Sequence, residues 1–203
     1  MKKVIICEGK HDGVLIEQLL KKIGFSHKEI YLFNQNKVSM QRKKRAETDI
    51  LGRFISKKNP YKILIKLEGG KHSAIKIFSS NMSYCIENID LLVLMIDLET
   101  GNAEEKIEDL KNVLKTLRKP TPITLNFEGK KDIEHLHHFS ASVNIEKTGE
   151  FIGKFEVIFF KSSLEQSCGI NKDKTTTDEE RKDKIDKFLK DSERINFFSK
   201  IIK

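Results

Sequence analysis

The chain has 203 residues, with 38 Lys and Arg against 30 Asp and Glu and a formal net charge of +8. That length supports one substantial core with a smaller appended unit, and needs neither disulfide nor metal merely to fold. Its cysteines, Cys7, Cys85 and Cys168, are odd in number and far apart with no CxxC pair, which argues against a zinc ribbon and for a reducing, cytoplasmic setting. No apolar run is long enough to span a membrane, and Glu8 cuts the N-terminal one short of a signal peptide. The basic balance suits a polyanionic partner.

In chain order, Val4 to Cys7 reads as a strand and Gly13 to Ile23 as a helix with Val14, Leu15, Leu19, Leu20 and Ile23 on its apolar side. Ile30 to Phe33 reads as a second strand, followed by a polar loop and a helix over about 40–56 that Asn59-Pro60 ends. Lys62 to Leu67 is a third strand, and Glu68-Gly69-Gly70-Lys71 turns the chain into a helix over roughly 73–80. Leu91 to Ile96 is a fourth, wholly apolar strand, with an amphipathic helix after it from about Ala103 to Leu117. Strands alternating with helices at this spacing imply right-handed crossovers and a mostly parallel sheet. Further on, Ile123 to Phe127, Val143 to Glu146 and Phe151 to Phe160 read as strands, with Thr148-Gly149-Glu150 as a hairpin turn. Thr175-Thr176-Thr177-Asp178 offers a helix cap, and Ile185, Phe188, Leu189, Ile195, Phe198, Ile201 and Ile202 mark one last amphipathic helix.

The chemistry gathers at two strand ends. Strand one runs into Glu8-Gly9-Lys10-His11-Asp12, and strand four into Asp97-Leu98-Glu99 followed by Thr100-Gly101. If both strands belong to one parallel sheet, Glu8, Asp97 and Glu99 meet at its edge, where clustered carboxylates suit a hard cation. Magnesium takes oxygen ligands and keeps several waters, so two or three acids suffice. Asp12 has two readings, a site acid or the N-cap of the first helix.

Together these motifs resemble the TOPRIM domain of topoisomerases, bacterial-type primases, ribosomal-RNA maturases and OLD-family nucleases. Glu8, Gly9 and Asp12 fit its first motif, Asp97-x-Glu99 its Asp-x-Asp motif, and Gly69-Gly70-Lys71 the glycine turn of nuclease-type members; the likeness spans about residues 1–120. The resemblance implies that Asp97 and Glu99 hold Mg2+ or Mn2+, that Glu8 is a ligand or a general acid/base, and that Asp12 binds a second metal. It departs from the pattern at Glu99, one methylene longer than the expected aspartate. Glu165 resembles a late acid of OLD-type relatives.

Other features carry less. Residues 37–58 hold eight basic and two acidic side chains, and Arg42-Lys43-Lys44-Arg45 reads either as a solvated run or as a phosphate-backbone contact. Gly69-Gly70-Lys71-His72 is not a P-loop, since Ile65 and His72 stand where glycine and Ser/Thr belong. A turn offering backbone N–H groups and Lys71 to a phosphate remains open, as does close approach of a phosphate to Gly9. His135, His137 and His138 read as surface histidines, with the His135-x-His137 pair on one strand face.

The sequence therefore reads as an α/β protein: a TOPRIM-like, Rossmann-like, mostly parallel sheet flanked by helices over 1–122, and a smaller α+β extension over 123–203. The expected activity is Mg2+- or Mn2+-dependent phosphodiester hydrolysis of DNA or RNA, with Glu8, Asp12 and Lys10 catalytic and Lys10 or Lys71 offsetting developing charge. The rival is a non-catalytic nucleic-acid- or protein-binding module with a structural cation. A homo-oligomer and a separate ATPase partner are both compatible with this reading.

Overall fold

A computed structural model describes residues 2–34, 50–56, 59–98, 102–115, 122–170 and 176–203. Its strands are β1 (Lys3–Cys7), β2 (Ile30–Asn34), β3 (Ile63–Leu67), β4 (Leu91–Asp97), β5 (Ile123–Phe127), β6 (Lys131–Ile133), β7 (Leu136–Ile145) and β8 (Phe151–Phe160). They form one sheet in the order β2-β3-β1-β4-β8-β7-β5, with β6 on β7. The β2/β3, β3/β1, β1/β4 and β4/β8 pairs are parallel, and β8/β7, β7/β5 and β7/β6 are antiparallel. The stretches 1–122 and 123–203 thus build a single mixed, mostly parallel open sheet.

The helices are α1 (Lys10–Lys22), α2 (Lys71–Asn88), α3 (Ala103–Lys115), α4 (Leu164–Ser167), α5 (Asp178–Phe188) and α6 (Ser192–Ile202), and residues 50–55 are also helical. Two buried clusters lie on opposite sheet faces. Val4, Ile6, Leu64, Leu92 and Leu94 pack against Leu51 and Phe54, α2 and α3, while Ile5, Cys7, Ile65, Val93 and Met95 pack against α1, α5 and α6. Burial on both faces is why β1, β3 and β4 read as almost unbroken apolar runs. Among the described residues no helix is long and apolar enough to cross a membrane.

Several elements differ from the sequence reading. α1 starts at Lys10, not Gly13, which puts His11 and Asp12 in its first turn. α2 runs to Asn88 because Met82, Cys85 and Ile86 continue the buried stripe of Ala74 and Phe78, so tertiary burial overrides the weak helix preference of Ser79-Ser80-Asn81. The single C-terminal helix is two: Asp191 caps α6, its Oδ1 accepting the N–H of Glu193 at 2.8 Å and of Arg194 at 3.2 Å. The break lets α5 and α6 each bury a separate face on the sheet, through Ile185 and Phe188 and through Phe198 and Ile202. Thr177 caps α5 as expected, accepting from Glu180 N at 3.2 Å while the Glu180 carboxylate accepts from Thr177 N at 2.8 Å.

The histidine expectation needs correction. His135 lies in a turn before β7, and His138 is not a surface residue. It is 4% exposed, with Nε2 2.8 Å from Glu156 Oε2, because alternation along β7 turns it toward α6 while His137 faces the other way and bonds Asp132.

Candidate active site

Parallel register decides which loops meet. Cys7 lies opposite Leu67 and Met95, and Asp97 opposite Phe160. The chain therefore leaves β1, β3, β4 and β8 at one edge, delivering Glu8, the Glu68-Gly69-Gly70 turn, Asp97 and the 161–165 segment side by side. From β1 the chain turns to α1 on one face, and from its neighbours β3 and β4 to α2 and α3 on the other. A crevice at the carboxyl ends of parallel strands, where the connections diverge, is the usual ligand position in open α/β sheets.

Hydrogen bonds fix the loops to one another. Glu8 Oε1 accepts the N–H of Asp97 at 2.8 Å, and the Glu8 carbonyl accepts from Gly69 N at 2.6 Å and Gly70 N at 3.0 Å. Asp97 Oδ1 in turn accepts the N–H of Leu164 at 3.0 Å, and Leu98 N donates to the Phe160 carbonyl. The Gly69 and Gly70 amides, which the sequence offered to a phosphate, here lock the β3 loop onto the β1 loop. Their φ values of 77° and 152° are ones that L side chains rarely adopt, so this turn requires glycine. Gly9 is different. Its backbone is extended, at φ −147° and ψ −174°, and a Cβ there would meet only an Asp12 oxygen at 3.9 Å. Neither conformation nor packing demands glycine at position 9.

Asp12 is the third residue of α1, not its N-cap; Gly9 is the cap, and Asp12 Oδ2 accepts the Gly9 N–H at 2.8 Å. Only 7% of the residue is exposed. Burial pushes its carboxyl well above the usual range, the Gly9 hydrogen bond opposes this, and the charges of Asp97, Glu8 and Glu165 push it further up. Glu8, Asp12, Asp97 and Glu165 thus form one electrostatic neighbourhood built from β1, α1, β4 and α4. The same charges act on nearby thiols: Cys168 is pushed up to about 12, first by burial and then by Glu165 and Asp12 against the opposing Arg194 charge.

Around this core, His11 Nδ1 lies 3.1 Å from Glu165 Oε1, and Arg181 Nη1 lies 2.9 Å from His11 Nε2. A guanidinium can only donate, so Nε2 accepts and the imidazole proton sits on Nδ1, shared with Glu165. Lys10 Nζ pairs with Asp178 at 2.8 Å, joining α1 to α5. Lys71 opens α2 and lines a mainly apolar groove of about 840 Å³ between α2 and α3. Beneath the edge, Lys66 and Glu68 form an ion pair with both side chains fully buried, the ammonium 5.7 Å from the Phe33 ring centroid. Glu99, Arg42, Lys43, Lys44 and Arg45 lie outside the described residues.

His11, Arg181 and Lys66 were missed in the sequence. His11 sits inside the Glu8-x-x-x-Asp12 spacing, and Lys66 is a charge in an apolar strand two positions from an acid on the same face. Both patterns were visible signals. Nothing local marks Arg181, which arrives from α5.

The donor set of Glu8, Asp12, Asp97 and Glu165 is all hard oxygen, the ligand type that Mg2+ and Mn2+ take. As they stand, no three His, Cys, Asp or Glu side chains among the described residues are arranged to hold a metal ion. Comparison with family models, with curated proteins and with solved structures finds no match.

Proposed function

We propose that the chain is a TOPRIM-like, metal-dependent phosphodiesterase acting on DNA or RNA. The observation that carries this reading is the convergence of Glu8, Asp12, Asp97 and Glu165 at the carboxyl edge of the parallel strands, close enough together to raise the Asp12 carboxyl. Structural acids are usually dispersed or paired with cations; acids packed against one another in a crevice are characteristic of a functional site.

On this reading Glu8, Asp97 and Glu99 would hold Mg2+ or Mn2+, with Asp12 beside them. The bound cation would polarise a phosphate oxygen and lower the pKa of an attacking water. Glu8, held by the Asp97 N–H, would receive that water's proton as the new P–O bond forms and the bond to the leaving sugar oxygen breaks. Gly9 leaves room for a phosphate beside the β1 loop, which accounts for a glycine that neither conformation nor packing explains. Lys71, at the first position of α2, would offset charge on the transferred group.

Purified protein should cleave DNA or RNA when Mn2+ or Mg2+ is added and not with chelator. Glu8→Ala and Asp97→Ala should abolish turnover while keeping most of the salt-dependent polymer affinity. Binding without cleavage at any metal would instead make this a binding module with a structural cation.

A further inference from the structure

Across His11 from the carboxylates, α1 and the start of α5 enclose a recess of about 110 Å³ with Lys10, His11, Asp178, Arg181 and Lys182 around it and the apolar side chains of Val14 and Ile185 also in its lining. One water occupies roughly 30 Å³ of liquid. The recess therefore has room for a tetrahedral oxyanion. Its lining carries three cations and one acid.

We propose that this recess is a phosphate subsite which, granted the hydrolase reading above, holds the backbone phosphate adjoining the one cleaved. The scissile phosphate belongs among the carboxylates. The recess lies one imidazole away, because His11 contacts Glu165 through one nitrogen and Arg181 through the other.

Each cation is available to an incoming oxyanion. Arg181 gives one N–H to His11, and its buried Nε–H has no acceptor among the described residues. A guanidinium fork matches phosphate geometry, and an unsatisfied buried donor costs about 1–3 kcal/mol, so an acceptor there is favoured. Lys10 is paired with Asp178, and the two side chains are 62% and 67% exposed. Such surface pairs exchange readily. Lys182 stands exposed at the rim. Substrates with two consecutive phosphates engage both places, whereas a mononucleotide fills one, so the subsite selects polymers.

The test uses the full chain with Lys182→Ala, which removes an exposed side chain, and Arg181→Ala/Lys182→Ala. Equilibrium binding of a short fluorescent single-stranded DNA is followed against salt concentration without divalent metal, and cleavage of the same DNA with Mn2+. The slope of log K against log salt should fall by about 0.7 for each phosphate that the variant no longer neutralises. In Lys182→Ala KM should rise several-fold with kcat little changed. An unchanged slope and KM in a double variant with native circular dichroism overturns the subsite even if the protein is a nuclease. A reduced slope with no cleavage at any metal supports the subsite as a binding feature and removes the hydrolase reading. Inorganic phosphate that binds the recess while the DNA slope stays unchanged in the variants overturns the polynucleotide assignment.

Discussion

Asp12→Asn should make the metal-free protein more stable while removing its activity. Asp12 is nearly inaccessible, its carboxyl is raised by burial and by Asp97, Glu8 and Glu165, and the Gly9 N–H opposes that rise. An asparagine Oδ1 keeps that contact and removes the charge. The unfolded carboxyl ionises near 3.8 and the folded one well above it. Its contribution to stability is therefore complete below pH 3.8 and is lost as pH rises through the folded value. Each unit of separation is worth about 1.4 kcal/mol. Relaxing such a functional-site charge typically returns about 0.5–2 kcal/mol. At about 2–4 °C per kcal/mol for a chain of this size, Tm should rise by roughly 1–8 °C at pH 7. Scanning calorimetry in chelator from pH 4 to 8 reads the effect directly, and the gap between variant and parent should widen with pH. Saturating Mn2+ should narrow the gap, since a ligand at a hundredfold excess over Kd adds about 2.7 kcal/mol to the parent and less to a variant with one acid fewer beside the cation. An Asp12→Asn protein that is less stable than its parent in chelator across this range would refute the crowding argument.

Other outcomes follow from the same geometry. Lys66→Met strands the buried Glu68 carboxylate without its cation and should destabilise by about 3–5 kcal/mol in urea unfolding, whereas Lys66→Met/Glu68→Leu should recover most of that loss; equal losses in both would show that the pair is not what the site tolerates poorly. Burial pushes Cys85 and Cys168 up to about 12 and Cys7 well above its ordinary range, so iodoacetamide at neutral pH should leave the folded protein unmodified and label it only after unfolding. Thr177→Ala removes the α5 cap and should cost about 1 kcal/mol, read as a Tm drop of roughly 2–4 °C.

The parts legible in the sequence share a physical cause. β1 and β4 are buried on both faces, so their apolar runs stand out and Glu8 and Asp97 mark where each run ends. Helix positions were legible where an apolar stripe met a cap, as at Thr177, and misjudged where weak helix formers sat on a buried stripe, as at Ser79-Ser80. The parallel partnership of β1 and β4 follows the sequence reading, but the place of β8 does not. Nothing in the 151–160 sequence says that β8 will lie parallel to β4, yet that pairing brings Leu164 to Asp97 and Glu165 to His11. Likewise His138 alternates with His137 along β7, and only the packing of α6 decides which of the two is buried.

The central claim is that the carboxylate edge binds a divalent cation. Anomalous diffraction from crystals soaked in Mn2+ tests it most directly. A peak is expected about 2.0–2.2 Å from oxygens of Glu8 and Asp97, with Asp12 or Glu165 drawn toward it. Saturating Mn2+ that leaves Glu8 and Asp97 unligated, their oxygens still on the Asp97 and Leu164 N–H groups, would contradict it.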